Sequence, residues 1–185
     1  MSNETKDHRR ALVRLLRLAY SGEKAAAYAY AGHWRSVKNA DERATIQRIE
    51  QEEWQHRATV KRMLDVLNEK PNIWRELMMS FIGRSVSIGC FLIGWFLPMY
   101  FAGKLEHANV KEYDGAAFHA EQLGLTEFMP ELHEMTKTEE EHEYFFSKVI
   151  ERHWLLPVMK VIFKWDPQEV LLLRAGSEDR RSLSS

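Results

Sequence analysis

Six residues that could bind metal or move protons interrupt otherwise apolar helical stripes: Glu23, Glu53, His56, Glu106, Glu139 and His142. Glu and His three apart on a helix project from one face, so each Glu-x-x-His pair can reach a common point. An unpaired carboxylate inside an apolar bundle costs several kcal/mol, so it must shift its pKa, find a partner or bind a metal. Two Glu-x-x-His motifs and two single glutamates, each on its own helix, make up the ligand set of a two-metal carboxylate centre. Four carboxylates nearly neutralise two divalent ions, and six ligands leave positions open for O2. Iron is favoured over manganese.

Four long segments with 3-4-3-4 apolar spacing must carry these residues. The first covers residues 6–37, with Leu12, Leu16, Ala19, Ala26 and Tyr30 on the stripe that includes Glu23. The second covers 40–69, with Ile46, Ile49, Val60, Met63 and Leu67 around Glu53 and His56. Asn39 and Glu42 resemble a capping box at its start, and Pro71 closes it. The third covers 73–124, with an interruption expected at Gly83 and a kink near Pro98. Its stripe of Ile88, Leu92, Trp95, Met99 and Ala102 leads to Glu106, Asn109 and Tyr113. The fourth covers 127–153, capped by Thr126, stopped by Pro157, and striped by Phe128, Leu132, Met135, Phe146 and Val149. Two short apolar elements follow at 157–165 and 167–173, and a polar tail at 177–185 is expected to fray.

Helix geometry tests the grouping independently. Glu23 and Glu53 lie about 14 and 12 residues from the turn between their segments, roughly 20 Å at 1.5 Å per residue, so a hairpin brings them level. Glu106 and Glu139 have arms of about 18 and 13 residues, a looser match that calls for an irregularity near Gly124.

Composition agrees with long helices. Gly and Pro are 14 of 185 residues, about 8%, against an average near 12%. A net charge of −1 argues against nucleic acid as a partner. The single cysteine, Cys90, excludes an internal disulfide framework. No apolar signal segment begins the chain, so a secreted protein is not expected.

Residues 85–103 carry no charge. Length alone allows a membrane span, but Gly89, Gly94 and Pro98 interrupt it and Arg84 and Lys104 flank it. A membrane-surface patch and a buried core helix are the other two readings.

Outside the six, the histidines attract no metal reading. His107 falls off the stripe, His33, His119 and His133 have no supporting motif, and His153 suits a helix end. Tyr30 and Tyr113 each follow a candidate ligand by seven residues on the same face, so either could support the ligands or simply pack.

Over residues 10–153 the sequence resembles the demethoxyubiquinone hydroxylase family, as a divergent member. The resemblance rests on Gly22-Glu23, Glu53-Trp54-Gln55-His56, Glu106, Tyr113 and Glu139-Glu140-Glu141-His142, and on the apolar stretch 91–102. The chain departs from the family where Ala19-Tyr20-Ser21-Gly22-Glu23 replaces Asn-His-Ala-Gly-Glu, and where Lys111-Glu112-Tyr113 replaces His-His-Tyr. It implies a ferritin-like di-iron monooxygenase of ubiquinone biosynthesis, peripheral to a membrane, that admits a long isoprenoid quinone.

The expectation is therefore an all-α ferritin-like four-helix bundle within 1–176, with a broken, apolar third segment and short C-terminal helical elements. Glu23, Glu53 and His56 would hold one iron, and Glu106, Glu139 and His142 the other, some glutamates bridging. O2 is the co-substrate, a lipophilic quinone-type ring the substrate, and Trp95, Phe96 and Met99 the expected channel lining. A membrane surface, a reductase and self-association are left open as partners, and the cytoplasmic side is the expected location. Two alternatives stand beside this reading: a rubrerythrin-like peroxide reductase or ferroxidase, and a non-catalytic membrane-associated metal-binding bundle.

Overall fold

A computed structural model describes residues 3–182, with side chains placed through residue 176. Seven α-helices follow one another: α1 (Asn3–Ser36), α2 (Ala40–Val66), α3 (Ile73–Gly89), α4 (Phe96–Gln122), α5 (Met129–Ile150), α6 (Leu156–Phe163) and α7 (Pro167–Ser182). No strand occurs among the described residues. The bundle is all-α and ferritin-like. α1 and α2 form one antiparallel hairpin, α4 and α5 the other, and α1 packs on α4. α3 lies outside this four-helix core against α1, and α7 against α5.

Local chemistry sets the helix ends. Asn39 caps α2 by accepting from the Asp41 and Glu42 amides at 2.9 and 3.1 Å. The Glu42 side chain does not close a box; its Oε2 accepts from Trp95 Nε1 at 2.7 Å. α2 ends at Val66, short of residue 69, because Asn68 takes a left-handed conformation (φ 54°) and the Glu69 amide reaches back to the Leu64 carbonyl. Gly124 (φ 70°) ends α4 in the same way, with the Leu125 amide on the Ala120 carbonyl.

The connection to α5 is a 3-10 turn, Thr126–Phe128. This is the irregularity that the unequal arms of Glu106 and Glu139 require. Thr126 makes no capping hydrogen bond to this turn or to α5. Pro157 does not terminate α5, which has already ended at Ile150; it occupies the first turn of α6, where its missing N–H goes unused. The backbone is helical through Ser182, into the stretch expected to fray, while residues 183–185 lie outside the described residues.

The third segment breaks at neither expected place. Gly83 lies inside α3, where a Cβ would stand 2.4 Å from the Ala25 carbonyl oxygen. Pro98 lies in the first turn of α4, which tolerates it. The interruption is at residues 90–95, where Gly94 supplies a left-handed turn (φ 81°). Among the described residues no helix is long and apolar enough to cross a membrane.

Two contacts hold α3 close. Gly83 abuts Ala25, and Gly32 on α1 abuts Ser87, whose Oγ would lie 2.2 Å from an added Cβ. Buried Glu76 accepts two bonds from Arg57 of α2, at 2.6 and 3.1 Å, and pairs with Lys24 of α1 at 3.4 Å. The outer face of α3 carries Trp74, Leu77, Phe81 and Ile88 in the open, continued by Phe91 and Leu92.

The bundle interior has two apolar regions. Leu12, Leu16, Val60, Met63, Leu132 and Met135 fill one end; Ile46, Ile49, Met99, Phe146 and Ile150 fill the other. The six candidate ligands lie between them. Gly83→Ala should destabilise the fold by about 1–3 kcal/mol by forcing α3 off α1. Urea unfolding monitored by circular dichroism measures this, and an unchanged midpoint would contradict the close contact.

Candidate metal centre

All six residues are buried, none more than 7% exposed. They form two overlapping groups: Glu23, Glu53, His56 and Glu139 in one, and Glu53, Glu106, Glu139 and His142 in the other. Within each group, one ligand atom per residue lies within 4.8 Å of the rest. Glu53 and Glu139 belong to both, which makes them the two bridging candidates, one from α2 and one from α5.

The donor atoms are short of partners. Glu23 Oε2, both Glu53 oxygens, Glu139 Oε1, His56 Nδ1 and His142 Nδ1 are buried without a hydrogen bond. His56 Nδ1 stands 2.9 Å from Glu139 Oε1, yet the approach lacks hydrogen-bond alignment. His142 Nδ1 lies 3.6 and 3.7 Å from Glu53 and Glu139 oxygens. Lone pairs converging on one volume, unsatisfied by protein, are what a cation would satisfy. The donor set of carboxylates and imidazoles suits iron or manganese, so the residues fit a pair of such ions.

Surrounding groups hold these ligands in place. His142 Nε2 bonds to Glu52 Oε2 at 2.8 Å, which leaves Nδ1 turned to the cluster. The Tyr30 hydroxyl donates to Glu106 and the Tyr113 hydroxyl to Glu23. Asn109 Nδ2 donates to Glu106 Oε2 at 3.1 Å and more weakly to Glu139 Oε2 at 3.4 Å. Both tyrosines are buried, and each donates directly to a candidate ligand.

Crowded carboxylates without a cation must share protons. Burial, then the charges of neighbouring glutamates, push Glu53 and Glu106 well above the usual carboxylate range. Burial also raises Glu23, against the opposing effect of the Glu53 carboxyl beside it. Glu139 differs: burial pushes it up, but the His142 and His56 imidazoles beside it outweigh that and hold it ionised. Burial lowers His142, yet Glu139 and Glu52 more than reverse this and carry it to about 9.

Beside the cluster, a cavity of about 620 Å³ lies between α1, α3 and α4. It is lined mainly by apolar groups, among them Ala26, Ala29, Met79, Val86, Pro98 and Leu105, and reaches Tyr30 and Asn109. Trp95, Phe96 and Met99, the residues expected to line such a channel, do not line it. Met99 is packed in the core, Phe96 stacks on His153 at 3.8 Å, and Trp95 turns to Glu42. On α4 the cavity face is Pro98, Phe101, Ala102, Leu105 and Asn109, so of the expected stripe Ala102 and Asn109 reach the lining while Trp95 and Met99 do not.

Sequence reasoning passed over three residues. Asn109 stands on the Glu106 stripe, and that position was its signal. His33 extends the Ala26–Tyr30 rhythm, and it lines the cavity and is 2% exposed. Glu52 leaves no such trace, since its role depends on how α5 approaches α2. His107 is off the cluster and pairs with buried Glu143 at 2.8 Å, which also accepts from Trp165 Nε1 at 2.9 Å.

A pH dependence follows. Groups held above their unfolded pKa, Glu53, Glu106 and His142, stabilise fully at low pH and lose that contribution as pH rises. Glu139 and Glu52, held low, matter in the opposite sense only near and below the ordinary carboxylate range. Chelator-treated protein should therefore lose thermal stability from about pH 5 to about pH 9, while added Fe(II) or Mn(II) raises Tm by an increment that grows with pH. Differential scanning calorimetry reads both trends. A metal increment that is flat or falls with pH would contradict a protonated cluster.

The family described as "Ubiquinone biosynthesis protein COQ7" matches residues 10–116, a stretch that contains Glu23, Glu53, His56, Glu106 and Tyr113. Searches of curated proteins and of solved structures returned no match. With more than half of its length matched, and with the α1, α2 and α4 members of the carboxylate cluster inside the match, the chain belongs to the COQ7 family of ubiquinone biosynthesis proteins.

Proposed function

We propose that the protein is an O2-dependent di-iron hydroxylase acting on a lipophilic quinone-type ring in ubiquinone biosynthesis. The observation that carries this reading is the pair of overlapping four-residue groups sharing Glu53 and Glu139, beside an apolar cavity that ends on Tyr30 and Asn109. Glu23, Glu53, His56 and Glu139 would hold one iron, and Glu53, Glu106, Glu139 and His142 the other. Two bound iron ions supply what the side chains cannot: reduction of O2 and transfer of one of its atoms to an organic ring.

The chain's own residues do the rest. Glu52 orients His142 through its Nε2. Tyr30 and Tyr113 hold one oxygen each of Glu106 and Glu23, limiting how those carboxylates swing. Asn109 ties Glu106 to Glu139 and stands in the cavity wall, so it is shared by cluster and substrate space. Protons held on Glu53 and Glu106 leave when cations bind, which couples metal uptake to proton release. Apolar walls keep water from the ring and the cluster.

Cavity volume agrees with a substituted ring and the start of a tail, since ligand pockets run from about 300 to 1,000 Å³. The exposed apolar face of α3, with Phe91 and Leu92, is the surface we assign to the membrane that stores such a substrate. A peripheral, cytoplasmic-side location accompanies that assignment. Reducing equivalents must come from outside the cluster: a partner reductase, a reduced nicotinamide, or the reduced substrate.

The test uses iron-loaded protein, reduced without air, mixed with a short-tailed quinone lacking one ring oxygen and exposed to ¹⁸O2. A product heavier by a single ¹⁸O atom is expected. Full iron occupancy without such a product would overturn the hydroxylase reading, and rapid peroxide consumption in its place would favour the peroxide reductase. Glu53→Ala removes a ligand common to both groups. It should drop iron from about two ions per chain to below one, with loss of turnover, as measured by metal analysis alongside the oxygenation assay.

A further inference from the structure

On α1 the cavity wall follows one stripe: Gly22, Ala26, Ala29, Tyr30 and His33. Small residues open the space, and the only large side chains on that stripe carry polar atoms. Tyr30 already donates to Glu106. His33 lies one turn further along, 2% exposed, with Nε2 buried and without a hydrogen bond. A Phe or Leu would fill this position without leaving an unsatisfied polar atom.

The ring of His33 is held in orientation as well. Its plane lies within 19° of Tyr30 and 12° of Phe146, with centroids 6.2 and 6.1 Å away. Burial lowers its pKa to about 4, so the imidazole is neutral at ordinary pH. A neutral imidazole offers one donor and one acceptor. It can give a hydrogen bond to a quinone carbonyl or accept one from the hydroxyl of the reduced ring.

We propose that His33 is the specificity-determining residue of the cavity, hydrogen bonding to a ring oxygen of the substrate and so setting which edge of the ring faces Tyr30, Asn109 and the carboxylates. This rests on the proposed function for the identity of the ligand as a quinone. His33 is a positioning group and bonds to none of the six candidate metal ligands. Its acceptor–donor character selects oxygen-bearing rings over plain hydrocarbons of the same size, and it serves both oxidation states of the ring.

The experiment compares three full-length proteins loaded with iron: wild type, His33→Phe and His33→Gln. Phe keeps a ring beside Tyr30 and Phe146 but removes both nitrogens; Gln restores a donor and an acceptor. Two probes are titrated anaerobically by tryptophan fluorescence, a short-tailed 1,4-benzoquinone and an alkylbenzene of equal length. Iron content and circular dichroism establish that each variant is folded and loaded. His33→Phe should weaken quinone binding about five- to tenfold, His33→Gln should recover most of it, and alkylbenzene affinity should stay unchanged throughout. Equal quinone affinity in wild type and His33→Phe would overturn the role of His33 while leaving the hydroxylase reading intact. Failure of the wild type to bind either probe would overturn both.

Discussion

Burying four carboxylates in the middle of an apolar bundle is the constraint on which the rest of this structure depends. Left ionised and unpaired, they would repel one another in a medium that screens poorly. Every departure from a plain four-helix core near that layer answers this problem. Two histidines enter with the glutamates on α2 and α5, two tyrosines and Asn109 donate from α1 and α4, and Glu52 steadies His142 from behind. Even so, Glu23 Oε2, both Glu53 oxygens and the two Nδ1 atoms remain unsatisfied. The apolar regions on either side provide the stability that this layer consumes, which is why the candidate ligands fall at mid-length of all four helices.

The second organising element is α3, whose contact with α1 has two characters. At Gly32 and Gly83 the helices touch backbone to backbone, leaving no room for a Cβ. Between and beside those points, the missing side chain of Gly22 and the methyl groups of Ala26 and Ala29 leave space unfilled. Small residues thus clamp the two helices and keep a cavity open along the same interface. Glu76, bonded to Arg57 and paired with Lys24, fixes the end of α3 away from the break at residues 90–95. That arrangement leaves α3 presenting apolar residues on both its cavity side and its outer side.

Much of this was legible in the chain because a helix projects chemistry at a regular period. Glu23, Glu53, His56, Glu106, Glu139 and His142 stood out by replacing apolar residues on stripes, and those stripes do face one another. The features that period does not encode were harder. α2 stops at Val66 because Asn68 adopts a left-handed conformation, which asparagine permits but does not require. The break in the third segment fell at Gly94, and not at Gly83 or Pro98, because packing against Ala25 decided the role of Gly83 and a first-turn position that of Pro98. The cavity lining was misjudged on α4 since 100° separates successive side chains; Met99 and Phe101 face different neighbours although both flank Tyr100. Glu52 escaped notice for a related reason, because its partner lies on another helix.

The C-terminal segment shows how far from the cluster its geometry is defended. Trp165 fills the space where Gly103 lacks a side chain, with its ring 2.3 Å from where a Cβ would be. Its indole donates to Glu143, and Tyr100 donates to the Met159 and Trp165 carbonyls at 3.1 and 3.0 Å. Glu143 follows His142 and Gly103 precedes Glu106 by three residues, so this anchor acts on α4 and α5 beside their ligands. Those two helices have no α3 on that side to brace them. α6 and α7 therefore do for the α4–α5 hairpin what α3 does for α1 and α2, with one difference. α3 leaves an apolar cavity against its helix, where His33, Tyr30 and Asn109 stand, whereas Trp165 fills the gap at Gly103 and the space left on the C-terminal side is a more polar pocket lined by His107, Glu140 and Glu143.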